Sequence, residues 1–331
     1  MRAPVAECVQ SDAHARLAHS PSTICSLRAR RVASLAFLFY KTLLRGGKNL
    51  KKSYGEWAVV TGATDGIGKA MAFEMAKKGM SVLLVSRTKD KLEACKQELL
   101  AKYPNVQCKT EVVDFGSFGQ KDTKRMTDVL AKIEVGVLVN NVGMSYPFPQ
   151  WYHELTEDEV QSLMTMNMDS VVWMTRAVLP QMVVRKKGAV VNLSSASARP
   201  GMGSLLAVYA ATKGFVENFT KSLAIEYASK GVHFQSQSPL FIATAMVFPG
   251  SKVPVEKRAT LATPTAAKYA KYAVARIGYD TITSPYWVHE LALWILARVP
   301  VGLVGAATHK MHVGLRFHKK NVAKMEEKKK A

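Results

Sequence analysis

Short apolar runs alternate with amphipathic stretches from residue 57 to residue 238, and this alternation limits the fold more than any other feature of the chain. The runs are Trp57–Thr61, Val82–Val85, Val106–Val113, Val135–Asn140, Ala189–Leu193 and Val232–Ser238. Most are too short for a helix and too apolar for an exposed strand, so they read as strands covered on both faces. Helical patterns lie between them, near residues 67–79, 88–102, 118–133, 157–184 and 207–229. The order predicts an α/β fold: a doubly wound parallel sheet of Rossmann type with helices on both faces. Such a sheet collects its ligands beyond the carboxyl ends of its strands. Chemically useful residues should therefore sit where strands run into loops.

The first such junction is rich in glycine. Trp57–Thr61 runs into Thr61-Gly62-Ala63-Thr64-Asp65-Gly66-Ile67-Gly68, and a helical pattern follows. Glycines let a backbone approach a pyrophosphate closely, and a helix N-terminus offers free N–H groups and a favourable dipole. The spacing G-x-x-x-G-x-G differs from the G-x-G-x-x-G fingerprint. The second strand ends in Val85-Ser86-Arg87. An acid there would accept from a ribose 2′-hydroxyl, whereas Arg87 can pair with a 2′-phosphate, which favours NADPH over NADH. The plainer reading of Arg87 is an exposed loop cation. Asp114 ends the third strand, where it holds an adenine amino group or caps the next turn. Asn141 and Gly143 end the fourth, where a small residue leaves room for the adenosine side of the cofactor.

The reaction chemistry is written around Tyr209 and Lys213, the only Tyr–Lys pair four residues apart in the chain. Reducing a ketone needs hydride at carbon and a proton at oxygen. A tyrosine, with a pKa of about 10 in water, gives that proton more readily beside a cation. On a helix, residues four apart share a face, so Lys213 sits beneath Tyr209. Ser195 would donate to the carbonyl oxygen, with Ser194 and Ser197 as competitors for that role. Asn167 has two readings: a holder of water that links Lys213 to solvent, or a plug in a helix bulge.

With these residues in place, the chain resembles the short-chain dehydrogenase/reductase family over roughly residues 55–285. It is most similar to the branch of microsomal very-long-chain 3-oxoacyl-CoA reductases and their 17β-hydroxysteroid dehydrogenase relatives. The stretches that carry the resemblance are TGATDGIGKA at 61–70, NNVGMSYP at 140–147, RKKGAVVN at 185–192 and SPYWVH at 284–289. The resemblance implies Tyr209 as the acid, Lys213 as its partner, Ser195 as the carbonyl contact and Asn167 as the relay residue. It implies a cofactor site lined by Thr61, Gly62, Gly66, Ile67 and Gly68, with Arg87, Asp114, Asn141 and Thr244 further along. Two local departures stand out: Pro239-Leu240 where the family has Pro-Gly, and a Ser195–Tyr209 separation one residue longer than in many relatives.

The ends of the chain carry most of its charge. The formal net charge is +21, of which residues 1–55 hold +8 and residues 309–331 hold +6. Basic tails beside apolar segments point to a membrane surface with cytosolic ends, and away from nucleic acid, which would require a basic body. Val32–Leu44 is apolar with Arg28, Arg30 and Arg31 before it, but at about 20 Å it is too short for a ~30 Å hydrocarbon core. Tyr286–Ala307 reads as an amphipathic helix pair that lies on a membrane or covers a substrate mouth. The expected organisation is an N-terminal extension at 1–54, a catalytic domain at 55–285 and an apolar segment with basic tail at 286–331. Cys8, Cys25, Cys95 and Cys108 match neither a zinc site nor a disulfide framework. Lys328-Lys329-Lys330-Ala331 is similar to a dilysine retrieval signal.

The branch resemblance therefore implies NADPH-dependent reduction of a very-long-chain 3-oxoacyl-CoA in fatty-acid elongation, at the cytosolic face of the endoplasmic reticulum membrane. Its partners would be the condensing enzyme, dehydratase and enoyl reductase of that cycle, with a possible homodimer. Rival readings are a steroid or retinoid dehydrogenase, a plastid acyl-carrier-protein reductase, and a catalytically silent scaffold.

Overall fold

The computed structural model describes residues 32–318, and the chain divides into two units at Arg45 and Gly46. Cys8, Cys25, the Arg28–Arg31 cluster and the terminal lysines lie outside the described residues. In the first unit, residues 32–39 form an α-helix that continues as a π-helical turn, Tyr40–Leu44. The Thr42 hydroxyl donates to the Leu38 carbonyl oxygen at 2.7 Å. Among the described residues, no helix is long and apolar enough to cross a membrane.

The second unit is built on seven parallel strands: β1 Trp57–Thr61, β2 Ser81–Ser86, β3 Cys108–Val112, β4 Val135–Asn140, β5 Gly188–Leu193, β6 Val232–Gln237 and β7 Ile282–Thr283. Their order across the sheet is β3-β2-β1-β4-β5-β6-β7. The chain reverses its direction of winding between β1 and β4, which opens the crevice where this fold class binds ligands. The six strands read from the sequence are all present. β7 was not anticipated, because two residues carry no periodic signal. Asp114 lies two residues past the end of β3 rather than at its end.

The two-residue period of the strands separates two cores. Ala58, Val60, Val82, Leu84, Val137 and Val139 face one side of the sheet and Val59, Leu83, Val85, Leu138 and Val190 the other. The first face is covered by helices α1 (Gly66–Lys77), α2 (Lys89–Lys102) and, later in the chain, α7 (Ala266–Ala275). The second is covered by α3 (Gln120–Leu130), α5 (Ser170–Arg185) and α6 (Ala207–Glu226). A fully buried Met or Leu on such a face is worth about 1.5–3 kcal/mol, and Met71, Met75, Met126, Met174 and Met182 are each wholly inaccessible.

The long helical pattern at 157–184 is two helices around a bulge: α4 (Glu157–Met164), a π-helical turn Thr165–Asp169, then α5. The apolar segment after residue 286 forms α8 (Trp287–Leu296) and α9 (Val301–Arg316), separated where Pro300 cannot continue a helix. Both helices belong to the same compact unit as the sheet.

Candidate active site

β1 delivers its last residue, Thr61, into the glycine turn. The buried Thr61 hydroxyl accepts from the amides of Asn141 at 3.0 Å and Val142 at 3.1 Å, which ties the ends of β1 and β4 together. Asn141 returns its side-chain amide to the carbonyl oxygens of Thr61 at 2.9 Å and Gly62 at 3.3 Å. Asn141 thus grips the turn itself. Gly62 and Gly66 take φ values of +64° and +54°, a region that favours glycine. A side chain at Gly68 would meet the Gly62 carbonyl oxygen and the Asn141 amide at 2.3 Å each, so the helix start packs against the turn with no room for a Cβ.

Asp65 caps α1, its carboxylate accepting from Gly66 N at 2.7 Å. The amides of Ile67 and Gly68 lie in the first helical turn, whose N–H groups have no acceptor one turn back. Thr244 stands over Gly66, 3.3 Å from where a Cβ would sit. Left-handed glycines, free first-turn amides and a dipole end make a cradle that fits a dinucleotide pyrophosphate.

The residues at the next strand ends differ in kind. The Ser86 and Thr64 hydroxyls meet at 3.0 Å, joining the end of β2 to the glycine turn. Arg87, next along, is exposed and enters no ion pair among the described residues. Asp114 is exposed and accepts from Gly116 N at 3.0 Å, so its carboxylate organises its own turn. Gly143 lies against the catalytic side chains. A Cβ there would lie 2.8 Å from Asn167 Oδ1 and 3.2 Å from Lys213 Nζ, so its smallness makes room for those two side chains.

The structure brings Tyr209, Lys213, Ser195 and Asn167 together at the carboxyl ends of β4 and β5. Tyr209 and Lys213 are one turn apart on α6, and the Lys213 ammonium lies 5.8 Å from the Tyr209 ring centre. Lys213 is buried and donates to the Leu193 carbonyl oxygen at 2.9 Å. Burial lowers its pKa from 10.5 to about 8. Burial raises the Tyr209 pKa, and the Ser195 side chain hydrogen-bonded to the phenol works against that rise. A phenol held in its protonated form is suited to giving a proton.

The geometry separates Ser194 from Ser195. The Ser194 hydroxyl is buried and donates to the Lys213 carbonyl oxygen at 2.9 Å. Ser195 faces Tyr209 and accepts from Ser197 N at 3.2 Å. Asn167 fills the bulge: its Oδ1 accepts from Met144 N at 2.9 Å, while Nδ2 donates to Met144 O at 3.0 Å and to the Thr212 hydroxyl at 3.1 Å. The bulge aims Asn167 at the loop after β4 and at the residue before Lys213.

Two supporting residues escaped the sequence reading of roles, although both lie in stretches it singled out. The Tyr146 hydroxyl accepts from Val208 N at 3.0 Å, at the start of the Tyr209 helix. His289 is fully buried; its Nδ1 accepts from Leu240 N at 3.3 Å and its Nε2 donates to the Ala262 carbonyl oxygen at 2.9 Å. It thereby holds the Pro239-Leu240 segment where the family has Pro-Gly. Their signal was the motifs NNVGMSYP and SPYWVH, but a motif does not say what its side chains touch.

The sequence model of the short chain dehydrogenase family matches residues 56–252. The chain belongs to the short-chain dehydrogenase family. A very-long-chain 3-oxoacyl-CoA reductase of Caenorhabditis briggsae is 41% identical over 271 residues, covering 81% of this chain and 83% of that protein. One from Bos taurus is 44% identical over 248 residues, covering 74% and 76%. A human relative, 38% identical over 267 residues and covering 81% and 79%, is named an inactive hydroxysteroid dehydrogenase-like protein. Among solved structures, a short-chain dehydrogenase from Sphingobium yanoikuyae in complex with NADPH matches with a TM-score of 0.61 at 24% identity, covering 77% of this chain and 95% of that one. That last likeness is one of fold. As a short-chain dehydrogenase, the protein is an oxidoreductase with a nicotinamide cofactor, and its cradle at Gly62–Gly68 fits such a group.

Proposed function

We propose that the protein reduces very-long-chain 3-oxoacyl-CoA to (3R)-3-hydroxyacyl-CoA with NADPH, as a step of fatty-acid elongation. The observation that carries this reading is the Tyr209 phenol, with Ser195 against it and the buried Lys213 ammonium one helical turn away. The cofactor, when bound, supplies the hydride to the carbonyl carbon. Tyr209 gives its proton to the carbonyl oxygen. Ser195 donates a hydrogen bond to the same oxygen as charge builds on it. Lys213 stabilises the phenolate left behind, and Asn167 holds the loop and helix that set Lys213 in place. Arg87, exposed just past the end of β2 and in no ion pair among the described residues, is the residue available to a 2′-phosphate.

The names of the worm and bovine relatives support the acyl-CoA substrate. The same names support elongation, and with it partners among the condensing enzyme, dehydratase and enoyl reductase. Placement at the cytosolic face of the endoplasmic reticulum membrane, and a homodimer, complete the proposal. The exposed apolar residues of the 32–44 helix and of α9, among them Phe37, Leu44, Leu303 and Leu315, suit contact with a membrane surface. A steroid substrate is the second reading, favoured by a Gallus gallus relative named hydroxysteroid dehydrogenase-like protein at 38% identity. The intact Tyr209–Lys213 pair argues against a silent scaffold. NADPH oxidation by the purified protein, offered 3-oxostearoyl-CoA and a 17-ketosteroid in parallel, separates these readings. Turnover of the steroid alone would overturn the acyl-CoA assignment, and turnover of neither would overturn the reductase.

A further inference from the structure

Two loops lead from the sheet to Tyr209, and both run on well beyond the strand ends. One follows β4 and runs through Tyr146 to Glu154. The other follows β5, contains Ser195, and leads into α6 two residues before Tyr209. They touch each other through Gln150 N, which donates to the Leu205 carbonyl oxygen at 3.0 Å. Leu205 is buried with φ at +59°, a left-handed backbone that a leucine holds only when its surroundings impose it.

The surroundings that impose it come from the far end of the chain. Arg316, on the last turn of α9, is buried and forks onto both carboxylate oxygens of Glu154 at 2.6 and 2.7 Å. It also donates to the Pro149 carbonyl oxygen at 3.2 Å. One turn earlier, His312 Nδ1 donates to the Ser204 carbonyl oxygen at 2.5 Å, and two turns earlier His309 Nδ1 meets the Ser204 hydroxyl at 2.8 Å. At the start of α9 the backbone passes so close to Gly201 that a Cβ there would lie 3.0 Å from Gly305 N. A single helix thus grips both loops along its whole length. Arg316 is buried while the Glu154 side chain is 31% exposed, so removing the glutamate strands the arginine's charge, whereas removing the arginine leaves a carboxylate that solvent can reach.

We infer that α9 is a strut over the substrate entrance, and that Arg316 is a positioning residue that anchors the loop after β4 to α9 through Glu154 and Pro149, while His309 and His312 anchor the loop before Tyr209 to the same helix. Arg316 touches neither cofactor nor reacting atoms. It acts by holding the walls between which a long substrate tail must lie. The inference deepens the reductase reading and rests on it for the identity of the tail.

Arg316→Ala, Arg316→Lys, Glu154→Gln and the exchange Arg316→Glu with Glu154→Arg provide the test. With 3-oxostearoyl-CoA, Arg316→Ala should raise KM about tenfold while kcat changes little, the signature of lost uniform binding. With acetoacetyl-CoA, which has no tail to hold, KM should stay within about twofold of wild type. NADPH affinity should not move in any variant. Amide hydrogen exchange, which needs no turnover, should quicken at 147–154 and 199–206 and stay unchanged in β1 and β4. The lysine variant and the charge exchange should each restore part of both effects. If Arg316→Ala does not fold, Glu154→Gln carries the same readouts, since it leaves Arg316 its bond to Pro149. Equal KM rises for both esters, or unchanged exchange in the two loops, would overturn the strut. A wild-type protein that reduces neither ester would instead overturn the reductase reading, while the exchange measurement still judges the strut.

Discussion

The Ser194 hydroxyl donates to the backbone carbonyl oxygen of Lys213 at 2.9 Å. That bond ties the end of β5 to α6 and removes Ser194 from the candidates for contact with a substrate. Ser195, the next residue, is left facing the phenol. The two serines should therefore fail differently. Ser195→Ala should lower kcat about 10²-fold with the melting temperature unchanged. Ser194→Ala should lower the melting temperature, because it removes a buried hydrogen bond between the end of β5 and α6, and should reduce kcat less. The opposite pattern in paired kinetics and calorimetry would exchange their roles.

Tyr209→Phe removes the proton donor and keeps the ring. Turnover should fall by 10²–10⁴-fold, the usual contribution of a positioned acid. NADPH should still bind, as judged by its fluorescence on titration. Retained turnover in this variant would remove Tyr209 from the reaction.

Burial lowers the Lys213 pKa to about 8. For reduction, kcat/KM of the free enzyme should fall as pH rises through about 8, as the ammonium loses its proton. Stability should move the other way. Between about 8 and 10.5 the unfolded lysine holds a proton that the folded one has released, so the Lys213 contribution to stability rises with pH across that window and is least favourable below it. Lys213→Met should therefore raise the melting temperature at neutral pH by more than it does at high pH. A gain that is the same at both would show that the lysine is not buried as a cation.

Gly143→Ala places a methyl group 2.8 Å from Asn167 Oδ1 and 3.2 Å from Lys213 Nζ. Displacing the lysine by a fraction of an ångström should cost up to about 10²-fold in kcat. NADPH affinity should change little if the methyl presses only on Asn167 and Lys213. A variant that loses cofactor affinity instead would place Gly143 on the adenosine side.

Arg87→Asp replaces an exposed cation at the end of β2 with an acceptor. The ratio of kcat/KM for NADPH over NADH should fall, because the 2′-phosphate loses its partner and meets a like charge. An unchanged ratio in initial-rate kinetics would take Arg87 out of the cofactor site.

What the amino-acid sequence determined by itself is local. Six strands are legible because their apolar residues are contiguous, and the glycine turn is legible because left-handed backbone at Gly62 and Gly66 suits glycine. Tyr209 and Lys213 share a face because a helix has 3.6 residues per turn. Tertiary structure decided everything that depends on residues distant along the chain. It chose Ser195 over Ser194 by sending one hydroxyl to the backbone of α6. It set Gly143 against Asn167 and Lys213, and it paired β7, two residues long, with β6. It also joined Arg316 to Glu154 across 162 residues of sequence. No periodicity records such contacts, because each half is an ordinary polar residue until the fold brings them together.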